Sequence, residues 1–315
     1  MKTALIFPGQ GSQAVGMGKE LAENFPQARR VFEEVDDALS QKLSTVMWDG
    51  PAETLTLTAN TQPALMAVSL AVIRVLEAEA GLDIGREAAY VAGHSLGEYS
   101  ALAAAGSLTI SDTARLLRIR GDAMQKAVPV GEGAMAAILG LERDAVDAIA
   151  REAAGTEVCD VANDNGNGQV VVSGHKAAVE RAAALAQSRG AKRAVMLAVS
   201  APFHCSLMAP AADAMRDALG EVPLGAPVVP VVINVEARPE SDPAKLVDGL
   251  VRQVTATVRW RESMIYMASE NVEAFYEIGS GKVLTGLGKR LAPAAQFMSI
   301  GTKADVAAFV QSFRA

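Results

Sequence analysis

A predicted strand meets an apolar helix across a very short turn in residues 88–106, which read AAYVAGHSLGEYSALAAAG. The apolar run before the turn predicts a strand, and the Ala- and Leu-rich run after it predicts a helix over about 96–105. Only small residues let a chain reverse so sharply, and Gly93 and Gly97 flank Ser95 at this turn. Strand, tight turn and helix in this order favour an α/β fold with a mainly parallel sheet.

Residues 133–199 follow a second pattern, in which short apolar runs alternate with helical ones. Strands are predicted for GAMAAIL, EVCDVAN, GQVVVSG and KRAVMLAV, and helices for ERDAVDAIAREAAG and KAAVERAAALAQSRG. The order β-α-β-β-α-β is typical of a ferredoxin-like unit. We therefore expect a ferredoxin-like small domain over residues 128–199. It would be inserted into a large, discontinuous α/β catalytic domain that comprises residues 1–127 and 200–315.

The overall composition argues against several classes of protein. Half of the 315 residues are apolar and 21% are charged, as in ordinary proteins with a sizeable core. The net charge of −7 opposes nucleic-acid binding, which needs a basic surface. The chain has no apolar run of membrane-spanning length, no signal-peptide core and only two cysteines, so we expect a cytoplasmic protein without membrane spans. His and Cys residues do not cluster at metal-ligand spacing, and we expect neither a metal nor a bound cofactor.

Two glycine-rich stretches resemble phosphate-binding loops but lack the required context. GQGSQA at residues 9–14 fits the dinucleotide fingerprint, yet a helical stretch follows where a second strand with an acidic residue is needed. GSGKV at residues 279–283 has Tyr276 where a P-loop has its first glycine, and Val283 where a P-loop has Ser or Thr. We interpret both stretches as structural turns.

The turn at Ser95 fits a nucleophile elbow, the strand–turn–helix that exposes a reactive serine. The helix N-terminus would also place free backbone N–H groups near Ser95, where they favour the negative charge that develops during acyl transfer. The alternative is a serine that only caps the helix. The functional interpretation therefore depends on whether the chain also supplies a base.

A serine nucleophile needs a base, and the chain has three histidines. His94 adjoins Ser95 and would point away from it, whereas His175 begins a helix of the small domain, where a capping or surface role is expected. His204 follows the last strand of the small domain and is the favoured base. The neighbouring Cys205 is interpreted as a small buried residue. An acidic partner for His204 does not stand out, so a backbone carbonyl could orient its ring instead.

One arginine lies on the apolar face of a predicted helix that Ser111 is expected to cap and that runs to about Ala127. Arg120 has leucines at i−4 and i−3, and Ala and Met at i+3 and i+4, so its side chain points inward. A buried charge needs a partner. The guanidinium is either part of a structural ion pair or a bidentate site for a ligand carboxylate.

Taken together, seven motifs resemble the malonyl-CoA:acyl carrier protein transacylase family, the acyltransferases of bacterial fatty-acid synthesis, which are related to the acyltransferase domains of polyketide synthases. The motifs occur in order and cover nearly the whole chain: FPGQGSQ at 7–13, GHSLGEYSAL at 93–102, RGDAMQ at 120–125, NGQVVVSG at 167–174, APFHC at 201–205, VRQV at 251–254 and EIGSGKVLTGL at 277–287.

The resemblance implies a hydrolase-like large domain, with Ser95 as nucleophile and His204 as base. It also implies roles for five further residues: the backbone N–H groups of Gln10 and Leu96 as the oxyanion hole, Arg120 as the partner of the malonyl carboxylate, the backbone carbonyl of Gln253 as the group that orients His204, and Phe203 as a selector of malonyl over methylmalonyl.

The implied activity is ping-pong transfer of a malonyl group from malonyl-CoA, through a malonyl-serine ester, to the phosphopantetheine thiol of acyl carrier protein. We expect a monomer that binds the carrier transiently, with Lys192, Arg193 and Lys289 as candidate docking residues. Three alternatives stay open at this point: a serine thioesterase or esterase, a polyketide-pathway acyltransferase, and a non-catalytic acyl-CoA-binding protein.

Overall fold

The computed structural model describes residues 1–313, which form two β-sheets surrounded by helices. The first sheet has the strand order β10-β9-β1-β2-β7-β8 and is parallel except for its last pair. Its strands are β1 (Thr3–Phe7), β2 (Ala88–Gly93), β7 (Val231–Ile233), β8 (Arg238–Glu240), β9 (Ala274–Ile278) and β10 (Gln296–Ile300). The α/β class with a mainly parallel sheet, expected from the sequence, is confirmed.

The second sheet is antiparallel and has the order β4-β5-β3-β6. Its strands are β3 (Gly133–Leu139), β4 (Cys159–Asp164), β5 (Gln169–His175) and β6 (Arg193–Met196). Two helices pack on this sheet, α9 (Arg143–Ala154) between β3 and β4, and α10 (Lys176–Ser188) between β5 and β6. A separate apolar cluster, which includes Val146, Val172 and Val179, fills the space between them.

The remaining described helices surround the first sheet. They are α1 (Lys19–Asn24), α2 (Pro26–Leu39), α3 (Leu43–Asp49), α4 (Ala52–Thr56), α5 (Thr58–Ala80), α6 (Ile84–Glu87), α7 (Gly97–Ala104), α8 (Ile110–Lys126), α11 (Ala209–Gly220), α12 (Pro243–Gln253), α13 (Trp260–Ser269), α14 (Val283–Leu291) and α15 (Lys303–Phe313). Helix α5 is apolar on most of its surface and buried over nearly all of residues 60–76, so this part of it forms the centre of the main core.

The cap of helix α8 differs from the expected one. The helix begins one residue before Ser111, and the side chain of Thr109 caps it by accepting a hydrogen bond from the Asp112 N–H at 3.0 Å. Ser111 instead donates its hydroxyl to the carboxylate of Glu34 at 2.7 Å. Threonine is nearly as competent an N-cap as serine, so the local sequence does not separate the two positions.

Parallel strands bring the functional segments to one edge of the first sheet. Gln10 follows β1, Ser95 follows β2, Asn234 follows β7, and the GSGK turn follows β9. Because the carboxyl ends of parallel strands lie at the same edge, these segments converge there, which is where ligands bind in open α/β sheets.

Neither a membrane span nor a metal centre is found in residues 1–313. The helices of this region lack the combined length and apolarity needed to cross a membrane. Groups of three or more His, Cys, Asp or Glu side chains arranged to hold a metal ion do not occur in it either.

Candidate active site

The turn after β2 is held tight by two close backbone approaches. A Cβ on Gly93 would lie 1.9 Å from the carbonyl of Gly97, and a Cβ on Gly97 would lie 2.3 Å from the carbonyl oxygen of Phe7. The residue between them, Ser95, adopts a φ of 55°, which is a strained conformation for a residue with a side chain. The two glycines therefore let strand and helix pack closely enough to present Ser95 at the edge of the sheet.

Ser95, His204 and Gln253 form a continuous hydrogen-bonded chain. The Ser95 Oγ lies 2.7 Å from His204 Nε2, and His204 Nδ1 lies 2.9 Å from the backbone carbonyl of Gln253. Because a carbonyl only accepts, Nδ1 carries the proton and Nε2 is free to accept the Ser95 hydroxyl. Gln253 is the last residue of α12, so its carbonyl has no partner in the helix and faces His204 with the negative end of the helix dipole.

Arg120 is buried beside the same hydroxyl. Its side chain is 1% exposed and donates to the side chains of Gln62 at 2.7 Å and Gln253 at 2.8 Å. It also donates to Ser95 Oγ at 3.1 Å, and its guanidinium lies 5.7 Å from the centre of the Tyr99 ring. Within residues 1–313 it forms no ion pair, so one of the two roles expected for it, a structural ion pair, is not observed.

A cavity of about 120 Å³ opens beside Ser95. Its wall contains six of the seven residues singled out from the sequence: Gln10, Ser95, Leu96, Arg120, Phe203 and His204. The seventh, Gln253, is fully buried and contacts the other residues from behind. Met135, Asn163 and Leu197, from the segments of the second sheet, also line the cavity.

Two backbone N–H groups are available at this cavity. Hydrogen bonds donated by the backbone amides of Gln10 and Leu96 are not found in the described part of the chain. The Ser95 amide, by contrast, donates to the Asn234 side chain at 2.8 Å. The Gln10 side chain is fixed by the hydroxyl of Thr58 at 2.8 Å. Gln10 and Leu96 can therefore donate to an anion in the cavity, whereas Ser95 N–H is already used.

Burial dominates the electrostatics of the site. Desolvation, together with the positive charge of Arg120, lowers the pKa of His204 to about 3. Desolvation raises the pKa of Glu98, on the helix behind Ser95, to about 7. At neutral pH His204 is thus uncharged and can accept a proton, as a general base must.

Three residues of the site were not predicted from the sequence: Gln62, Glu98 and Asn234. Asn234 joins the strand end to the turn, since its side chain donates to the Gly93 carbonyl at 2.7 Å and accepts from the Ser95 amide. Glu98 is fully buried and accepts from the Asn234 amide at 2.8 Å. The sequence could have identified Glu98 and Gln62 as candidates, because each is a polar residue within a mainly apolar helical run.

The two other histidines occupy local roles. His94 Nε2 lies 2.9 Å from Asn165 Oδ1, and the ring packs against Trp260 with centroids 5.7 Å apart. His175 precedes α10, and its Nδ1 accepts from the Val158 amide at 2.9 Å. Cys205 is buried, and its thiol donates to the Pro202 carbonyl. The candidate docking residues Lys192, Arg193 and Lys289 are exposed.

The sequence of this chain is similar to those of known acyltransferases over nearly its whole length. The family model described as the acyl transferase domain matches residues 4–315. A malonyl CoA-acyl carrier protein transacylase of Salmonella typhimurium is 48% identical over 288 residues, which cover 91% of this chain and 92% of that protein.

Solved structures are similar over their full length. An acyl-carrier-protein S-malonyltransferase from Bartonella henselae is 56% identical, with a TM-score of 0.97 and complete coverage of both chains. A malonyl-transacylase solved in complex with its type II PKS acyl-carrier protein is 41% identical, with a TM-score of 0.95, and the match covers 99% of this chain and 100% of that one.

Proposed function

The chain belongs to the acyl transferase family, and from that premise we propose that it transfers the malonyl group of malonyl-CoA to the phosphopantetheine thiol of acyl carrier protein for fatty-acid synthesis. The relatives named as malonyl transacylases over nearly its whole length support this substrate and this acceptor. The transfer proceeds through a malonyl ester on Ser95, with His204 as the base.

The observation that carries the proposal is the position of Arg120. A fully buried guanidinium without an ion-pair partner in residues 1–313 lies 3.1 Å from the hydroxyl that would be acylated. A short diacid attached to Ser95 would bring its free carboxylate to this guanidinium, which can hold it with two charge-assisted bonds. An esterase for neutral acyl groups would have no use for such a charge in its acyl pocket.

Acylation begins when Ser95 Oγ attacks the thioester carbonyl of malonyl-CoA. The hydroxyl proton moves to His204 Nε2, the new C–O bond forms, and the carbonyl oxygen becomes an oxyanion. The amides of Gln10 and Leu96 are the donors for this oxyanion, and losing one such donor typically costs roughly 10²–10³-fold in rate. The C–S bond then breaks, and the CoA thiolate takes the proton from His204.

Bound malonyl also strengthens the base. Arg120 contributes to the low pKa of His204. Pairing the guanidinium with the malonyl carboxylate cancels part of its positive charge, so the pKa of His204 rises when a diacid is bound. The negative end of helix α12, at the Gln253 carbonyl, then stabilises the imidazolium where many serine enzymes use a carboxylate.

Transfer to the carrier repeats the same steps in reverse. The phosphopantetheine thiol gives its proton to His204 and attacks the Ser95 ester, a C–S bond forms, and the C–O bond to Ser95 breaks. Ser95 recovers its proton from His204.

The two sheets support a finer description of the fold. We assign residues 1–127 and 200–313 to a hydrolase-like catalytic domain and residues 128–199 to a ferredoxin-like small domain. Residues 314–315, also expected from the sequence to belong to the catalytic domain, lie outside the described residues. The order β-α-β-β-α-β and the antiparallel arrangement β4-β5-β3-β6 support the second assignment. The cavity between the two sets of segments would receive the acyl group, with Phe203 in its wall selecting malonyl over methylmalonyl by size.

The test compares acyl groups in an Arg120→Ala variant. Loss of the guanidinium should reduce the ratio of malonyl to acetyl transfer by at least roughly 10- to 100-fold, the effect of losing a single charge-assisted hydrogen bond. The matched control is Arg115→Ala, on the same helix but paired with Asp112 at the surface. An unchanged ratio in Arg120→Ala would contradict the proposed substrate.

Three further measurements separate the alternatives. Mass spectrometry of the wild type with malonyl-CoA should show a malonyl adduct on the peptide that contains Ser95, and a non-catalytic binding protein would show none. Release of malonate to water at a rate matching transfer to the thiol would indicate a thioesterase. A polyketide carrier protein used in place of the fatty-acid carrier tests the pathway, since one solved relative is bound to a type II PKS carrier.

A further inference from the structure

Glu98 presents an unusual carboxyl group directly behind the reactive serine. It lies on α7 and is 0% exposed. Its Oε2 accepts from the Asn234 amide at 2.8 Å and from the Gln253 side chain at 3.2 Å, whereas its Oε1 is buried with no hydrogen-bond partner in the described residues. One oxygen of this buried carboxyl is therefore fully engaged, and the other is left without a donor.

The Gln253 side chain connects this carboxyl to Arg120. Its Nε2 donates to Glu98 Oε2, and its Oε1 accepts from Arg120 Nη2 at 2.8 Å. Carboxylate and guanidinium are thus separated by one amide group and do not form a direct ion pair. Glu98 can balance the charge of Arg120 through the low-dielectric interior without occupying the face of the guanidinium that a ligand would use.

The other charged and titratable groups near Glu98 are few. Arg120 reaches it from α8, and Tyr99, its neighbour on α7, lies over the same guanidinium. His204 contacts Ser95 Oγ, and the charges of Arg120 and His94 influence the pKa of His204. The backbone amide of Asn234 and the side chain of Gln253 are its neutral partners. The two hydrogen bonds, from the Asn234 backbone amide and the Gln253 side chain, stabilise the Glu98 carboxylate most, and the positive charge of Arg120 adds a smaller attraction.

A malonyl group would add a second carboxylate to this arrangement. Two carboxylates would then share one buried guanidinium, and like charges in a desolvated site cannot both remain ionised without a large penalty. Resting on the proposed function, we propose that Glu98 takes up one proton from solvent when the malonyl carboxylate binds Arg120. The proton goes to the unpartnered Oε1, so both hydrogen bonds to Oε2 persist.

Glu98 is suited to this exchange near neutral pH. Desolvation raises its pKa to about 7, so near neutral pH the Glu98 carboxyl of the free enzyme can exchange a proton with its surroundings. An acetyl group has no carboxylate, so it does not pair with Arg120. The electrostatic attraction between Arg120 and the Glu98 carboxylate then stays as it is in the free enzyme. Binding of a malonyl group would therefore be coupled to proton uptake, and binding of an acetyl group would not be.

The test uses Ser95→Ala enzyme, which binds acyl-CoA without reacting. Titration calorimetry slightly above neutral pH, in buffers of different ionisation enthalpy, gives the number of protons taken up with malonyl-CoA and with acetyl-CoA. The phosphates of CoA are common to both ligands and cancel in the difference. We expect an excess uptake with malonyl-CoA, and its disappearance in Ser95→Ala/Glu98→Gln.

Infrared difference spectra provide a second measurement that does not require the Glu98 variant to fold. Malonyl-CoA added to Ser95→Ala enzyme should produce the C=O band of a protonated carboxylic acid, and acetyl-CoA should not. Equal proton uptake with both ligands, while malonyl-CoA still binds more tightly, would overturn the role of Glu98. A malonyl preference that survives in Ser95→Ala/Arg120→Ala would instead overturn the proposed binding of malonyl by Arg120.

Discussion

At the scale of single residues, the site combines groups whose roles depend on burial more than on residue type. His204 is flanked by a positive charge and removed from water, and both effects favour its neutral form. A weakly basic imidazole accepts a proton reluctantly but returns it readily to a leaving thiolate. The same residue can thus serve both half-reactions of a transfer between two thiols.

The low pKa of His204 makes a prediction about the pH dependence of acylation. Because its pKa is lowered to about 3, and desolvation persists when malonyl binds, the base stays neutral well below the usual pKa of histidine. The rate of malonyl-Ser95 formation at saturating malonyl-CoA should therefore stay constant from about pH 8 down to about pH 6.5. Rapid-quench mass spectrometry measures this rate directly.

The rate of malonyl-Ser95 formation needs a control without the nucleophile. The Ser95→Ala variant should give no adduct at any pH and so reports nonspecific acylation. A fall in the rate with a midpoint near the ordinary histidine pKa of about 6.5 would show that His204 is solvated and charged in the working enzyme.

Single residues also show what sequence can and cannot predict about the site. Arg120 is identifiable because its charge interrupts an apolar helical face, and its side chain does line the cavity. Asn234 was missed because its importance comes from contacts with Gly93 and Ser95, about 140 residues earlier in the chain, and an asparagine after a strand is otherwise unremarkable in a sequence. Such partners follow from strand order, which periodicity does not give.

At the scale of secondary-structure elements, the turn between β2 and α7 should be the most sensitive to added volume. A Cβ on Gly93 would lie 1.9 Å from the backbone of Gly97, where no side chain can move aside. Gly93→Ala should lower the free energy of unfolding by at least about 1–3 kcal/mol, as overpacking does, and should displace Ser95 enough to abolish acylation. Urea denaturation and adduct formation measure the two effects.

Gly286→Ala is the matched control for this change. Gly286 lies within α14, and among the described residues no neighbouring atom comes within 4 Å of the position that its Cβ would occupy. Alanine there should raise the free energy of unfolding by about 0.5–1 kcal/mol, because it favours the helix. Equal stability of the two variants would show that the turn at Ser95 can relax, contrary to the close packing described above.

The GSGKV stretch shows why an element's surroundings decide its role. It precedes a helix, as a P-loop does, but the anion at that helix N-terminus belongs to the protein itself. Glu277 is fully buried, and its carboxylate accepts from the Leu284 and Thr285 amides at 3.0 and 2.7 Å. These N–H groups are therefore already neutralised, which agrees with the interpretation of this stretch as a structural turn.

At the scale of the whole molecule, strong periodicity predicted most of the fold, and weak periodicity explains what was missed. Helices α3, α4 and α11 carry weak signals in the sequence, because α3 and α4 are short and separated by Pro51, and α11 buries only Ala211, Ala212, Met215 and Leu219. Strand β8 reads Arg-Pro-Glu and would not be identified as a strand by propensity. It forms because it lies at the sheet edge beside β7, where proline is tolerated.

The stability of the whole chain should respond to pH through two buried groups with opposite effects. The pKa of Glu98 is raised to about 7 from 4.5, so the folded state holds its proton longer, and its contribution to stability is lost as pH rises through that range. The pKa of His204 is lowered to about 3 from 6.5, so the unfolded state binds its proton first, and its contribution is lost as pH falls through that range. Between about pH 5 and pH 7 each amounts to about 2 kcal/mol, and the two nearly cancel.

Replacing either Glu98 or His204 should reveal the pH dependence that the other side chain gives to the free energy of unfolding. Relative to the wild type, the free energy of unfolding of Glu98→Gln should rise by about 2 kcal/mol between about pH 5 and pH 7, and that of His204→Gln should fall by a similar amount. Urea denaturation at both pH values measures each difference, and groups common to all three proteins cancel in the comparison. If both variants kept the wild-type pH profile, neither side chain would be desolvated, and the balance of buried charge around Arg120 would have to be described differently.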